Sequence, residues 1–292
     1  MQQIGKIKAD LALLMVALVW GITFVVVQDA LADITPHYFN AIRFSMGGLF
    51  LAIFYWGRLK LINQSTLVSG VFIGLFLFGG YALQTMGLQY TSAANAGFIT
   101  GLSVVTVPIL TAFLLRRLPS LYAILGVVSA TIGLALLSLN QGLANINMGD
   151  LLVFGGAICF GLHIVMVSKY APSNDSALLA IIQIFTVAVA SLGFGLMGEP
   201  LPQGLTKNVW VALLITAIPA TALAYLIQNT VQKYTSPTHT AIIFATEPVF
   251  AALAAFLLLG ELLTGQQLFG CGLILAGMLV AELRGEQLRG EV

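Results

Sequence analysis

Apolar residues run in long blocks along the whole chain, separated by short polar breaks. A helix needs about 20 residues to cross the hydrocarbon core of a bilayer, and each block reaches that length. The candidate spans are 9–28, 37–56, 66–88, 92–115, 119–138, 149–169, 176–197, 208–232, 237–259 and 265–283. The connections between them are too short to hold an extramembrane domain. The pattern predicts an all-α integral membrane protein with ten transmembrane helices, five in each half. Pro36, Pro119 and Pro237 fall at or just before helix starts, where a missing N–H costs little. Pro108, Pro219 and Pro248 fall inside spans, where they should kink the helix and free backbone carbonyls.

The blocks also repeat. An offset of 144 carries Tyr81 onto Tyr225, Gln84 onto Gln228, Tyr90 onto Tyr234 and Thr91-Ser92 onto Thr235-Ser236. The same offset carries Gly126 onto Gly270 and Gly133 onto Gly277. An offset of 140 carries Asp10-Leu11 onto Asp150-Leu151 and Gly21 onto Gly161, with Trp20 opposite Phe160. The chain therefore reads as two homologous halves, 1–145 and 146–292. Five spans is an odd number, so the second half must enter the bilayer from the opposite face. Inverted repeats of this kind are typical of secondary transporters, whose site lies near the midplane where the halves meet.

Composition agrees with a membrane protein and narrows the class. The chain is 59% hydrophobic and 8% charged, against about 25% charged residues in soluble domains. A net charge of +1 gives no electrostatic pull toward nucleic acid. Cys159 and Cys271 lie in apolar runs without metal-type spacing and read as small packing residues. No pattern for a metal or another cofactor occurs. The first apolar run lacks a small-residue cleavage site and reads as a retained span.

With a cytoplasmic N-terminus, ten basic residues lie in the inside segments: Lys6, Lys8, Arg58, Lys60, Arg116, Arg117, Lys169, Lys233, Arg284 and Arg289. Lys207 alone lies outside, and Arg43 falls within a span. The positive-inside rule then places both termini in the cytoplasm, in a plasma membrane or a bacterial inner membrane.

Four stretches carry a family resemblance: LVWGITFVVVQDAL (18–31), RFSMGGLFLA (43–52), GLQYTSAANAGFITGL (87–102) and EPVFAALAAFLLLGELLTGQQLFGCGLILAGMLV (247–280). They resemble the EamA type of the drug/metabolite transporter superfamily over nearly the whole chain. The resemblance implies a ten-helix carrier with both termini cytoplasmic, commonly an exporter of amino acids or other small metabolites. It also implies that the first four helices of each half surround a central cavity and the fifth packs outside. The halves differ at one telling place, with Ser103-Val104 in the first where the second has Glu247-Pro248.

Glu247 lies near mid-span, where a carboxylate costs about 2.5–3.5 kcal/mol to insert. It should face a wet cavity as a proton-coupling or ammonium-binding group, or pack protonated beside Pro248. Arg43 lies roughly 9 Å below the outer end of its span. It either snorkels to the interface, or faces the cavity to pair with Glu247 or bind a substrate carboxylate. His163 is deep in the sixth span, as a neutral hydrogen-bonded residue or a coupling site.

Tyr81 and Gln84, three residues apart, share a helix face, and Tyr225 and Gln228 repeat the pair. With Asn95, Thr100 and Ser103 on the fourth span and Trp20 as an aromatic wall, they could line a substrate cavity. Their other reading is hydrogen bonding between helices, worth about 0.6 kcal/mol per pair in membranes. Trp56 and Trp210, at span ends, read as interfacial anchors. Gly126/Gly133 and Gly270/Gly277 suit close helix packing, either on the bundle or in a dimer contact, so the chain is a monomer or a weak homodimer.

The partners expected are the lipid bilayer and a small-molecule substrate. A cavity rich in tyrosine and glutamine suits neutral or zwitterionic metabolites such as amino acids and suits polyanions badly. A channel would need a filter-like loop or a ring of charges, and a membrane enzyme would need a catalytic constellation. Neither pattern is present, and the reading is a secondary-active transporter rather than an enzyme, with a channel-like or facilitative uniporter as its alternative.

Overall fold

The computed structural model describes residues 2–138, 147–254, 256 and 264–282. The end of the 237–259 span, the following connection and the C-terminal Arg284 and Arg289 lie outside these residues. All regular elements among the described residues are helical. The first half contains α1 (Gln2–Ala30), α2 (Pro36–Phe54), a short α3 (Trp56–Leu59), α4 (Gln64–Gly87), α5 (Ala93–Gly101), α6 (Ser103–Leu115) and α7 (Leu121–Ser138). The second contains α8 (Met148–Tyr170), α9 (Ser176–Gly198), α10 (Lys207–Ala217), α11 (Ala224–Val231), α12 (Pro237–Phe244), α13 (Glu247–Ala254) and α14 (Gly265–Glu282). Among the described residues, six helical stretches are long and apolar enough to cross a membrane: Ile7–Ala30, Gln64–Gly87, Ala93–Leu115, Met148–Ser173, Ser176–Gly198 and Lys207–Tyr234. Shorter apolar helices cover Leu121–Leu137 and Gly265–Ala281.

Small residues set how closely these helices meet. A Cβ on Gly126 would lie 2.7 Å from the carbonyl oxygen of Gly277, and one on Gly133 would lie 2.5 Å from that of Gly270. The reverse contacts are just as tight, 2.7 Å from Gly277 to Gly126 and 2.6 Å from Gly270 to Gly133. As numbers rise along α7 the partners fall along α14, so the two helices run antiparallel with their glycines interlocked. These glycine faces meet inside one chain and are not free for a dimer. Gly87 and Gly149 make the same reciprocal contact between α4 and α8, each Cβ 2.7 Å from the other's carbonyl oxygen.

The proline expectations are corrected in part. α6 runs through Pro108 without interruption, and the fourth span breaks earlier, at Leu102 between α5 and α6. The ninth span breaks at the matching place, between Phe244 and Glu247. Pro248 therefore sits in the first turn of α13, where its missing N–H costs little, rather than inside a kinked helix. Val104 occupies the equivalent position in the first half, so a proline at this place is not what makes the break. Pro219 does mark a distortion, a π-helical turn over Ile218–Leu223 that joins α10 to α11.

At one end of the bundle, Glu199 at the end of α9 caps the start of α2. Its carboxylate accepts from the backbone N–H groups of His37 (3.1 Å) and Tyr38 (3.3 Å) and lies 2.6 Å from His37 Nδ1. These are donors that an α-helix cannot satisfy within itself. Burial alone would raise the Glu199 carboxyl, but the adjacent Thr35 side chain and the hydrogen bonds from His37 outweigh it and hold the group below its ordinary range. A carboxyl depressed on folding contributes stability that is complete above the unfolded value of about 4.3 and is lost as pH falls through the folded value. Glu199→Gln should therefore cost about 1 kcal/mol at pH 7 and flatten the loss of melting temperature below pH 5. Thermal unfolding in detergent from pH 7 to pH 3.5 checks this, and an unchanged acid limb would contradict it.

Candidate functional site: a polar cavity between the halves

Near the centre of the bundle two tyrosines meet. The Tyr225 hydroxyl donates to that of Tyr81 at 2.8 Å, and their rings stand edge to face with centroids 6.3 Å apart. Each is braced by the aromatic residue that the repeat supplies, Phe160 against Tyr81 at 5.2 Å and Trp20 against Tyr225 at 5.5 Å. Helices α1, α2, α4, α8 and α11, with the α5–α6 and α12–α13 junctions, enclose a narrow cavity of about 60 Å³ beside this pair.

Arg43 comes into the wall from α2 and is 3% exposed. Its Nε donates to Thr221 Oγ1 at 2.8 Å, and a terminal nitrogen reaches the Tyr81 hydroxyl at 3.4 Å. The guanidinium also lies over the Tyr81 ring, 4.8 Å from its centroid. Thr221 belongs to the π-helical turn, whose Ala220 carbonyl accepts from Trp20 Nε1 at 2.8 Å. The distortion at Pro219 thus holds both the cation and the aromatic wall in place.

Glu247 reaches the cavity from the first residue of α13. A helix N-terminus favours a negative charge. Among the described residues its carboxylate has no hydrogen bond or ion pair, and it does not pair with Arg43. His163 is buried and lies 2.6 Å, Nε2 to Oε1, from Gln183 on α9, with its ring edge-on to Tyr225 at 5.6 Å. Gln84 donates to Thr100 Oγ1 at 2.9 Å, and Gln228 donates to Gln232 Oε1 at 2.9 Å.

Trp20, Arg43, Tyr81, Gln84, Thr100, Ser103, His163, Tyr225, Gln228 and Glu247 all line the cavity. Asn95 does not. It sits in the first turn of α5, its backbone N–H held by the Ser92 hydroxyl at 3.1 Å, about a turn and a half short of the wall residue Thr100. Arg43 does not snorkel, because partners from α4 and the π-helical turn hold it inward. Trp56 (70% exposed) and Trp210 (48% exposed) face outward, as span-end anchors should.

The wall also contains residues that sequence reasoning missed, among them Thr23, Phe24, Thr85, Phe160, Ile164 and Phe244. The repeat could have found several. Thr23 and Phe24 are the counterparts of His163 and Ile164 at offset 140, and Phe244 is that of Thr100 at offset 144.

Membrane-length helices around a buried polar and aromatic cavity define a multi-pass membrane protein. The EamA-like transporter family model matches the chain twice, over residues 7–139 and 147–282. The chain belongs to that family. A protein of Archaeoglobus fulgidus, described as an uncharacterized transporter, is 37% identical over 259 residues, 89% of this chain and 80% of its own length. The uncharacterized transporter YyaM of Bacillus subtilis is 28% identical over 251 residues, 81% of each chain. A solved protein structure shares the fold with a TM-score of 0.80 at 18% identity, covering 95% of this chain and 97% of its own.

Proposed function

We propose that this protein is a secondary-active carrier, acting as an exporter, that moves small neutral or zwitterionic metabolites such as amino acids by alternating access at the central cavity. The observation that carries the reading is the cavity's placement. It lies beside a tyrosine pair contributed by equivalent positions of two halves whose helices pack antiparallel. The architecture is ten transmembrane helices in two inverted five-helix repeats, 1–145 and 146–292, with α5–α6, α10–α11 and α12–α13 each forming one broken span. Equivalent halves can exchange conformations, so one site opens to each face in turn. Arg43 supplies a positioned cation for a substrate carboxylate, and Glu247 a carboxylate for an ammonium group or a proton. The carrier works as a monomer or weak homodimer in the plasma membrane, both termini cytoplasmic.

The sidedness follows from the basic residues and is directly testable. A single cysteine introduced near Asp33 should react with a membrane-impermeant thiol reagent from outside the cell, and one near Lys60 only from the cytoplasm. Outside labelling at Lys60 would overturn the ten-span arrangement.

A further inference from the structure

Beyond each end of the cavity a glutamine side chain ties two helical segments together, Gln28 at one end and Gln232 at the other. At one end Gln28 of α1 donates to the Thr91 carbonyl at 3.0 Å and accepts from the Ala93 N–H at 3.1 Å. At the other, Gln232 donates to the Ile164 carbonyl at 2.6 Å and to Ser168 Oγ at 2.7 Å. Gln28 Nε2 also reaches the Leu88 carbonyl at 3.5 Å. The offset of 140 carries Gln28 onto Ser168 and 144 carries Leu88 onto Gln232, so the Gln28–Leu88 and Ser168–Gln232 contacts join the same pair of repeat positions. The ends nonetheless differ. Val27 and Leu88 line the cavity beside Gln28, whereas their counterparts Val167 and Gln232 are fully buried and off it. The cavity reaches toward the Gln28 end and stops short of Gln232.

Gln232 also fixes the chemistry of the wall. A carbonyl oxygen can only accept, so the Gln232 amide nitrogen must face Ile164 and its oxygen must face away. That oxygen accepts from Gln228 Nε2 at 2.9 Å. Gln228 is therefore left with its oxygen as the remaining polar atom, and that oxygen is buried and has no partner among the described residues. Gln228 itself is 1% exposed and lines the cavity. A buried acceptor left unpaired is costly, which favours a ligand that brings a donor. The first half has no such chain, because Leu88 stands where Gln232 would be needed.

We propose that Gln232 is a latch with two effects. It seals one end of the cavity, and it sets Gln228 as an acceptor for an ammonium or N–H group of the ligand while that end is shut. Opening the latch frees Gln232 from Ile164 and lets the Gln228 amide turn over, so the acceptor is lost as the far side opens. Gln232 acts through Gln228 and is a positioning residue. The ligand chemistry rests on the carrier reading above, whereas the seal does not.

Two measurements separate these parts. In a protein lacking Cys159 and Cys271, Ser103→Cys places a thiol on the cavity wall for an impermeant reagent applied to either membrane face. Gln232→Leu should raise its labelling rate about tenfold from the cytoplasmic face, and Gln28→Leu should raise it from the outer face instead. Ser168→Ala, a milder change, should move labelling in the same direction as Gln232→Leu and keeps the test open if that variant folds poorly. Exchanged faces would support the latches and overturn the assigned orientation. Equal labelling from both faces, or none gained in any of these variants, would overturn the seal.

The second measurement compares thermal stabilisation by L-amino acids with that by matching acids lacking the amine. The parent should prefer the amines, and Gln232→Leu should lose about tenfold of that preference with Gln228 intact. An unchanged preference in Gln232→Leu would overturn the relay. No preference in the parent would overturn the ligand class and leave the labelling result to decide the seal.

Discussion

Glu247→Gln should abolish accumulation driven by a pH gradient while leaving exchange of substrate across the membrane intact. The substitution keeps shape and hydrogen-bonding capacity and removes only the ability to exchange a proton. Its basis is geometric. Glu247 is a carboxylate on the cavity wall, at the first residue of α13, with no hydrogen bond or ion pair among the described residues. Arg43, the buried cation nearby, is engaged by Thr221 and Tyr81 instead. A carboxylate without a fixed partner can take up a proton from whichever face the cavity opens to. Symmetry sharpens the expectation, because Ser103 fills the equivalent place and no second carboxylate could substitute. The fall in gradient-driven accumulation should be about a hundredfold, to the level set by exchange alone. Proteoliposomes with an imposed pH gradient make the comparison. A Glu247→Gln protein that accumulates substrate as the parent does would remove Glu247 from coupling.

Gly133→Leu should largely prevent the chain from reaching its folded state. Even a Cβ at this position would lie 2.5 Å from the Gly270 carbonyl oxygen and 2.9 Å from the Ile274 nitrogen. Both are backbone atoms, so α14 would have to move away from α7. Overpacking of this kind costs about 3 kcal/mol, and the reciprocal contact at Gly126 and Gly277 would be loosened with it. Gly272 provides the control. It lies two residues from Gly270 on the same helix, and a Cβ there would meet nothing within 4 Å. Gly272→Leu should therefore fold at the parental yield. Size-exclusion profiles of the two variants in detergent decide the point, and equal monodisperse yields would contradict the interlocked packing.

What the sequence revealed and what it hid have physical causes. Repeat positions were legible because the two halves keep the same residue where both need the same contact. The Tyr81–Tyr225 pair and the four interlocked glycines are such cases. Arg43 was ambiguous because depth along a helix does not say which way a side chain turns. Its direction is decided by Thr221, 178 residues away, on a turn whose π-helical form leaves only Pro219 as a local sign. The breaks at Leu102 and before Glu247 were missed because kinks were expected at Pro108 and Pro248, yet α6 runs through Pro108 and the half with Val104 in place of Pro248 breaks as well. Asn95 was placed on the cavity by polarity alone, whereas it lies on the first turn of α5, away from the wall.

Counterflow most directly tests whether the cavity belongs to a carrier. Proteoliposomes preloaded with an unlabelled L-amino acid that thermally stabilises the protein would be diluted into a trace of the labelled compound. A carrier exchanges one for the other at a single site, so the label should rise transiently above equilibrium and then decay. Arg43→Gln should reduce the peak sharply. Entry that only approaches equilibrium, without overshoot and without saturation, would mean an open pathway rather than alternating access and would contradict the account.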